Sequence, residues 1–349
     1  MFEKFGLSLS RFYKVIILGF GNSIPENRAS IIFNTLYNGN SKSLVRFLSI
    51  FTFYKKLLIH KPDIVIVHSP ELLISAGVFT IFYRKKTIYD VRENYYFNIK
   101  YQSNFNVISR FLLSVSVRLI EYCSNLFIDC YILAEKCYDR ELSFHKKKYI
   151  VLENKFILPQ NVYFESLANK KTEFKFIFTG TISKVYGIWE AIDFIDKIQL
   201  YESEATLEIV GHVVSNNLLL ELQNNIKDKP YIQLNADNSL VPHKLIIEKL
   251  LASDFAILSY QPNRSTKKCI PTKMYECISL KIPMIIQKND YWKTLCNKYM
   301  AAYFLDFNEF NPAIILEEIK KFDFYTNKAK EEVLWVEEEK KLLNLISEL

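Results

Sequence analysis

Residues 270–286 hold the densest chemistry-bearing stretch of the chain, Ile-Pro-Thr-Lys-Met-Tyr-Glu-Cys-Ile-Ser-Leu-Lys-Ile-Pro-Met-Ile-Ile. Pro271 suits a helix start, because its φ is fixed and its missing N–H would lack a partner there anyway. Met274, Cys277 and Ile278 form one inward face, and Pro283 then precedes an apolar, β-branched run that reads as a buried strand. A helix N-terminus presents N–H groups to a phosphate. Glu276, less than two turns in, has no basic residue four positions on and can accept hydrogen bonds from a sugar diol. Together with those N–H groups it describes half of a nucleotide-diphosphate cradle. An ordinary helix–strand unit with a solvated glutamate would carry the same pattern.

Other strand ends add polar groups. Phe178-Thr179-Gly180-Thr181-Ile182-Ser183 closes an apolar run, and Gly180 lets backbone approach a ligand. Lys184 follows, and Gly187 opens a helix over 188–198. Gly211-His212 and Ser259-Tyr260 end two further strands. Strand C-termini are where ligands bind in parallel sheets. In the first half, Tyr89-Asp90-Val91-Arg92-Glu93-Asn94 leaves a strand. Arg92 cannot serve as a base but can clamp a phosphate, which leaves Asp90 or Glu93 for any acid–base role. A strand-end salt-bridge cluster is the structural alternative. His68, also at a strand end, is read as structural.

These residues need elements to position them. The pattern predicts strands at 15–20, 63–67, 87–91, 126–130 and 149–152. Helices are expected at 24–37, 44–59, 71–82, 107–123 and 134–142. The second half repeats the plan, with strands at 175–179, 205–210, 231–234, 255–259, 284–287 and 302–305. Strands alternating with helices imply doubly wound parallel sheets. At 349 residues two domains are the natural expectation: 1–165, 166–326, and a last helix from about 327 to 349. The polar stretch 160–172 is the expected linker.

Composition narrows the classes. Half the residues are apolar, so the chain is globular. Six cysteines make no C-x-x-C pair and five histidines no ligand-spaced cluster, so no metal site is expected and the thiols are read as reduced and cytoplasmic. Gly19-x-Gly21 tempts a dinucleotide reading, but the third glycine would fall at Ile24 and the acid about 20 residues on is missing. No signal-peptide core or membrane span is read. Residues 1–165 hold 22 Lys and Arg against 13 Asp and Glu, a net +9, while the remainder carries −2. That asymmetry suggests an anionic partner for the first half, such as a membrane surface, with Phe2, Phe5, Phe12, Tyr13, Phe53 and Tyr54 as candidate interfacial aromatics. Nucleic acid is not expected, because no nucleic-acid-binding signature accompanies the charge.

Pro271, Lys273, Glu276 and Pro283 resemble the donor-binding motif of glycosyltransferase family 4, retaining enzymes of the GT-B fold. The Gly180–Gly187 loop resembles the family's segment over the donor phosphates, and Val210-Gly211 a second strand end. Tyr89 to Glu93 resembles its Tyr-Asp-x-His-Glu segment, with Arg92 in the place of the histidine. The likeness spans about residues 60–310. It implies two Rossmann-like domains facing a central cleft, with a last helix that crosses back onto the first. It implies transfer of a sugar from a nucleotide-diphosphate sugar to a hydroxyl acceptor, a glycan or lipid-linked saccharide, in bacterial surface-polysaccharide assembly. No cofactor or metal is implied. The donor-binding residues would be Gly180, Thr181, Lys184, Gly211, Tyr260, Thr272, Lys273 and Glu276, and the catalytic ones Asp90, Arg92 and Glu93.

Three departures matter. The family often has a glutamate eight residues before Glu276, and here that residue is Lys268. Its Arg and Lys around the first loop are Thr181 and Tyr186. The second leaves Lys184, Lys273 or the Lys267-Lys268 pair to neutralise the phosphates, while Lys268 and Arg92 suit a catalytically silent nucleotide-sugar-binding partner of a membrane complex. A GT-B nucleotide-sugar epimerase is the other alternative.

Overall fold

The structure, a computed structural model, describes residues 2–20, 30–37, 49–102, 105–142, 147–159, 174–326 and 331–349. The expected linker at 160–172 lies outside these residues. The chain divides into two compact units, Met1–Ile157 with Leu334–Leu349, and Leu158–Val333.

The first unit opens with a π-helical turn, Phe2–Gly6, and a short helix α1 (Leu7–Ser10), neither of which the sequence announced. Strands β1 (Ile16–Phe20) and β2 (Ile32–Tyr37) pair in parallel, Ile16 opposite Ile32. The helix expected over 24–37 is therefore corrected in its last six residues. A six-residue run is too short for spacing to separate strand from helix.

Helix α2 (Ser49–His60) leads to a four-stranded parallel sheet in the order β3 (Ile64–Val67), β4 (Lys86–Val91), β5 (Cys130–Leu133), β6 (Tyr149–Val151). Between them run α3 (Pro70–Tyr83), α4 (Tyr95–Gln102), α5 (Val107–Ser124) and the single turn α6 (Tyr138–Glu141). Pro70 sits in the first turn of α3, and Asn106 caps α5 by accepting from the Ser109 N–H at 2.8 Å. The strand expected at 126–130 begins instead at Cys130, because Phe127 and Ile128 bond back to the Ser124 carbonyl and extend the end of α5. All of β5 is buried, as a strand covered on both faces must be.

The second unit is a six-stranded parallel sheet. Its strands are β7 (Lys175–Ile182), β8 (Thr206–Val213), β9 (Ile232–Asp237), β10 (Phe255–Leu258), β11 (Met284–Gln287) and β12 (Ala302–Leu305). Their order is β12-β11-β10-β7-β8-β9. All six expected strands are present. The intervening helices are α7 (Ile188–Gln199), α8 (Asn216–Ile226), α9 (His243–Leu251), α10 (Thr272–Leu280), α11 (Asp290–Tyr299) and α12 (Pro312–Lys321). The order reverses between β7 and β10, so the crevice outside their C-terminal ends is the topological switch of this sheet. The core beneath is aromatic: Phe176 stacks on Phe255 at 5.4 Å and meets Phe194 edge-on at 5.2 Å.

The last helix, α13 (Trp335–Ser347), belongs to the first unit. Trp335, Leu342 and Leu345 pack with Phe5, Ile88 and Ile132. Buried Glu338 accepts from Lys155 at 2.6 Å, which fixes the helix beside the end of β6.

Gly187 fastens β10 to the start of α7. Its φ is +79°, and a Cβ there would collide with the Ser259 carbonyl oxygen. Gly187→Ala is expected to lower stability by about 1–3 kcal/mol or more through overpacking and left-handed strain. Urea unfolding measures this; an unchanged midpoint would show that the contact is not tight.

Candidate functional site

The second unit brings together residues that are far apart in sequence. Pro271 precedes the first turn of α10 without a side-chain cap, and Thr272 and Lys273 open the helix. The Lys273 amine donates to Thr179 Oγ1 in the second half of β7. It also lies over Gly180, where a Cβ would stand only 3.2 Å from Nζ. Gly180 has φ +98°, a conformation that L side chains rarely adopt, and a Cβ there would press on the lysine amine. Gly211 faces Gly180 across the β7–β8 ladder.

Glu276 is one turn further along α10 and is buried. Its Oε2 is 3.8 Å from Lys273 Nζ, and its Oε1 is 3.0 Å from His243 Nε2. His243 opens α9, 33 residues away, and the sequence analysis missed it. Nothing in its local spacing marked it, since the contact is made only by the fold. The carboxylate is thus held by two basic groups, a polar arrangement stable in a buried place only when paired.

Tyr260 follows β10, half-buried, with Tyr186 at 5.0 Å and Trp292 at 6.0 Å. Burial pushes its phenol up, and Tyr186 and Glu276 add to the shift. Thr181 is exposed. Lys184 is exposed and pairs with Glu221 on α8 at 2.9 Å, an interaction worth little in water. Lys273 is the lysine seated at the switch.

No protein-family model and no curated protein sequence matches this chain. Solved structures do. The Anabaena protein HepE, solved in complex with UDP and glucose, matches over 98% of this chain and 94% of its own, with TM-score 0.69 and 12% identity. Sucrose-phosphate synthase from Thermosynechococcus elongatus matches over 98% and 90%, with TM-score 0.71 and 10% identity. A putative UDP-N-acetylglucosamine 2-epimerase from Listeria monocytogenes matches over 96% of both chains, with TM-score 0.56 and 11% identity.

The fold is GT-B.

The first half of this GT-B chain has its own polar group at the end of β4. Asp90 is 2% exposed. Its Oδ2 accepts from Arg92 Nε at 2.9 Å. His68 Nδ1, at the end of β3, lies 2.7 Å from the same oxygen, but the ring N–H is not aimed along that line, so the contact is chiefly electrostatic. The guanidinium of Arg92 also lies over the Phe5 ring at 5.1 Å. Arg92 therefore pairs with Asp90 within the unit, in the manner of the strand-end salt-bridge cluster that the sequence left as the structural alternative. His68, read as structural, pairs with Asp90 between the ends of β3 and β4. Glu93 is exposed and accepts from Asn98 at 2.7 Å.

Burial alone would raise the Asp90 carboxyl, but His68 and Arg92 outweigh it and hold the group below the usual carboxylate range. A depressed folded value means that this stability is present above the unfolded value of about 3.9 and is lost as pH falls through the folded one. Asp90→Asn is expected to flatten the acid limb of the stability curve below about pH 4 while destabilising the protein at neutral pH. Unfolding midpoints measured across pH test this; an acid limb identical to the parent's would show that Asp90 does not titrate there.

Proposed function

We propose that this chain transfers a glycosyl group from a nucleotide-diphosphate sugar to a hydroxyl acceptor. The observation that carries the reading is the Lys273–Glu276 pair at the switch of the second sheet, with the amine over Gly180 and the carboxylate tied to His243. Lys273 and the N–H groups of the first α10 turn receive the diphosphate. Positive charge there is worth most as the bond from sugar to phosphate oxygen breaks and the leaving group gains charge. Glu276 accepts from the ribose diol, and His243 keeps the carboxylate turned toward it. Thr181 and Thr272 offer hydroxyls, Gly211 gives room beside Gly180, and Tyr260 walls the crevice.

In the first unit, any acid–base role falls to Asp90, buried beside His68 and Arg92, or to Glu93, the exposed second carboxylate. The resemblance to family 4 supports retention of anomeric configuration, with neither cofactor nor metal in the reaction, and a hexosyl or N-acetylhexosaminyl group. UDP, which the HepE structure holds, is the first nucleotide to test. The acceptor in this reading is a glycan or lipid-linked saccharide of bacterial surface-polysaccharide assembly, at the cytoplasmic side of the membrane.

A second reading is a nucleotide-sugar-binding chain without turnover. Lys268, exposed and eight positions before Glu276, favours it, because the family often places there an acid that contacts the transferred sugar. An epimerase is a third outcome of the same experiment, given the Listeria neighbour.

Calorimetry with UDP and uridine, followed by turnover of a UDP-sugar panel, tests the proposal. Glu276→Gln is expected to weaken UDP binding about ten- to hundredfold, since a charge-assisted hydrogen bond contributes about 1.5–3 kcal/mol. Lys273→Gln is expected to weaken UDP far more than uridine, because the lost attraction is for the diphosphate. Unchanged UDP binding in both folded variants would remove this site. Binding without sugar release on any acceptor would favour the silent reading, and conversion of the free donor to its epimer would favour the third.

A further inference from the structure

The outer surface of the first unit carries an apolar face that its own core does not use. Helix α5 is turned inside out. Its buried positions include Ser114, Glu121 and Ser124. Glu121 is held there by the Tyr89 hydroxyl at 2.8 Å and by Arg118 at 3.1 Å, and burial raises its carboxyl. Its exposed positions include Ile108, Phe111, Leu112, Val115 and Leu119, with Ile108 at 74%. Helix α3 packs beside it and completes the face with Ile74, Val78, Ile81 and Phe82, the last at 77%. None of the exposed positions on α3 or α5 bears a charge. Two neighbouring helices that both show apolar side chains to water mark an interaction surface.

We propose that the α3–α5 face rests on an anionic lipid bilayer. This stands apart from the glycosyl-transfer reading. Basic residues lie on or next to the same packed helices: exposed Arg84 follows α3 at its C-terminal end, exposed Lys100 lies on α4 and half-buried Arg110 on α5. They belong to the half of the chain that carries the +9 excess. A second copy docked on this face would bring like charges together, whereas anionic headgroups neutralise them. Exposed Tyr83, Tyr101 and Tyr122 add rings with an apolar body and a polar tip, suited to a membrane–water boundary. Among the described residues no helix is long and apolar enough to cross a membrane, so the face lies on the bilayer rather than through it. The aromatics first expected at the membrane are corrected in part: Phe5 and Phe53 are buried in the unit. The apolar insertion passes to α3 and α5.

Co-sedimentation of the full chain with phosphatidylcholine vesicles, with and without one-third phosphatidylglycerol, tests the proposal. The protein is expected to bind the anionic vesicles at low salt and to leave them as salt rises. Two paired variants, Ile81→Ser with Phe82→Ser and Phe111→Ser with Leu112→Ser, change only exposed side chains. Each pair is expected to cut partitioning about tenfold or more. Arg84→Gln with Arg110→Gln is expected to cut it about tenfold as well. Unfolding midpoints and UDP binding, expected to match the parent's, keep these outcomes separate from misfolding and from failure of the donor site. No binding to anionic vesicles at low salt, or binding indifferent to the four apolar substitutions, would overturn the proposal. So would a dimer in solution that the same substitutions break while vesicle binding is absent.

Discussion

A lysine amine lying against a backbone without a side chain is the contact on which the second unit's site depends. Lys273 reaches from the first turn of α10 to the second half of β7, where Gly180 leaves the space and Thr179 offers an acceptor. That reach fixes α10 relative to the sheet and brings Glu276 within 3.8 Å of the amine. Glu276 then draws His243 on α9 into the same group. Gly187 secures the other side of the switch against Ser259. The site is thus built from three helix starts and two strand ends, each tied to another by a contact that has little room to move.

The first unit solves a different problem with the same materials. Its sheet ends in Asp90, a buried carboxylate kept ionised by His68 and Arg92. Arg92 in turn rests on Phe5, which stacks on Trp335 of the last helix at 5.8 Å. The polar strand end and the returning α13 therefore share one packed chain of side chains. On the opposite account, Glu121 and Arg118 place charge beneath α5 and free the other face of that helix for apolar residues. Burying a paired charge in order to expose leucine and phenylalanine makes little sense for stability alone, and it is intelligible if the exposed face has a partner.

Much of the second unit was legible in the sequence. Its central strands β10 and β11 are short apolar runs buried throughout, and β11 and β12 fall where the pattern predicts. Lys273 and Glu276 were legible as a motif because their spacing on one helix is local. His243 was not, since its pairing with Glu276 joins two helices. The pairing of Lys184 with Glu221 was not legible either, since it joins the loop after β7 to α8. In the first unit, β2 was read as helix because Ile31, Ile32, Phe33 and Leu36 satisfy helical spacing over too few residues to decide. For α5, periodicity shows that one face is apolar but not that this face points outward.

Hydrogen–deuterium exchange with and without UDP tests the central claim most directly, because it reports where on the chain the nucleotide acts. The account expects slower exchange in peptides covering residues 179–187 and 259–276, which hold Gly180, Gly187, Tyr260, Lys273 and Glu276. Saturating UDP that leaves those peptides unchanged, or that protects only peptides of the first unit, would contradict it.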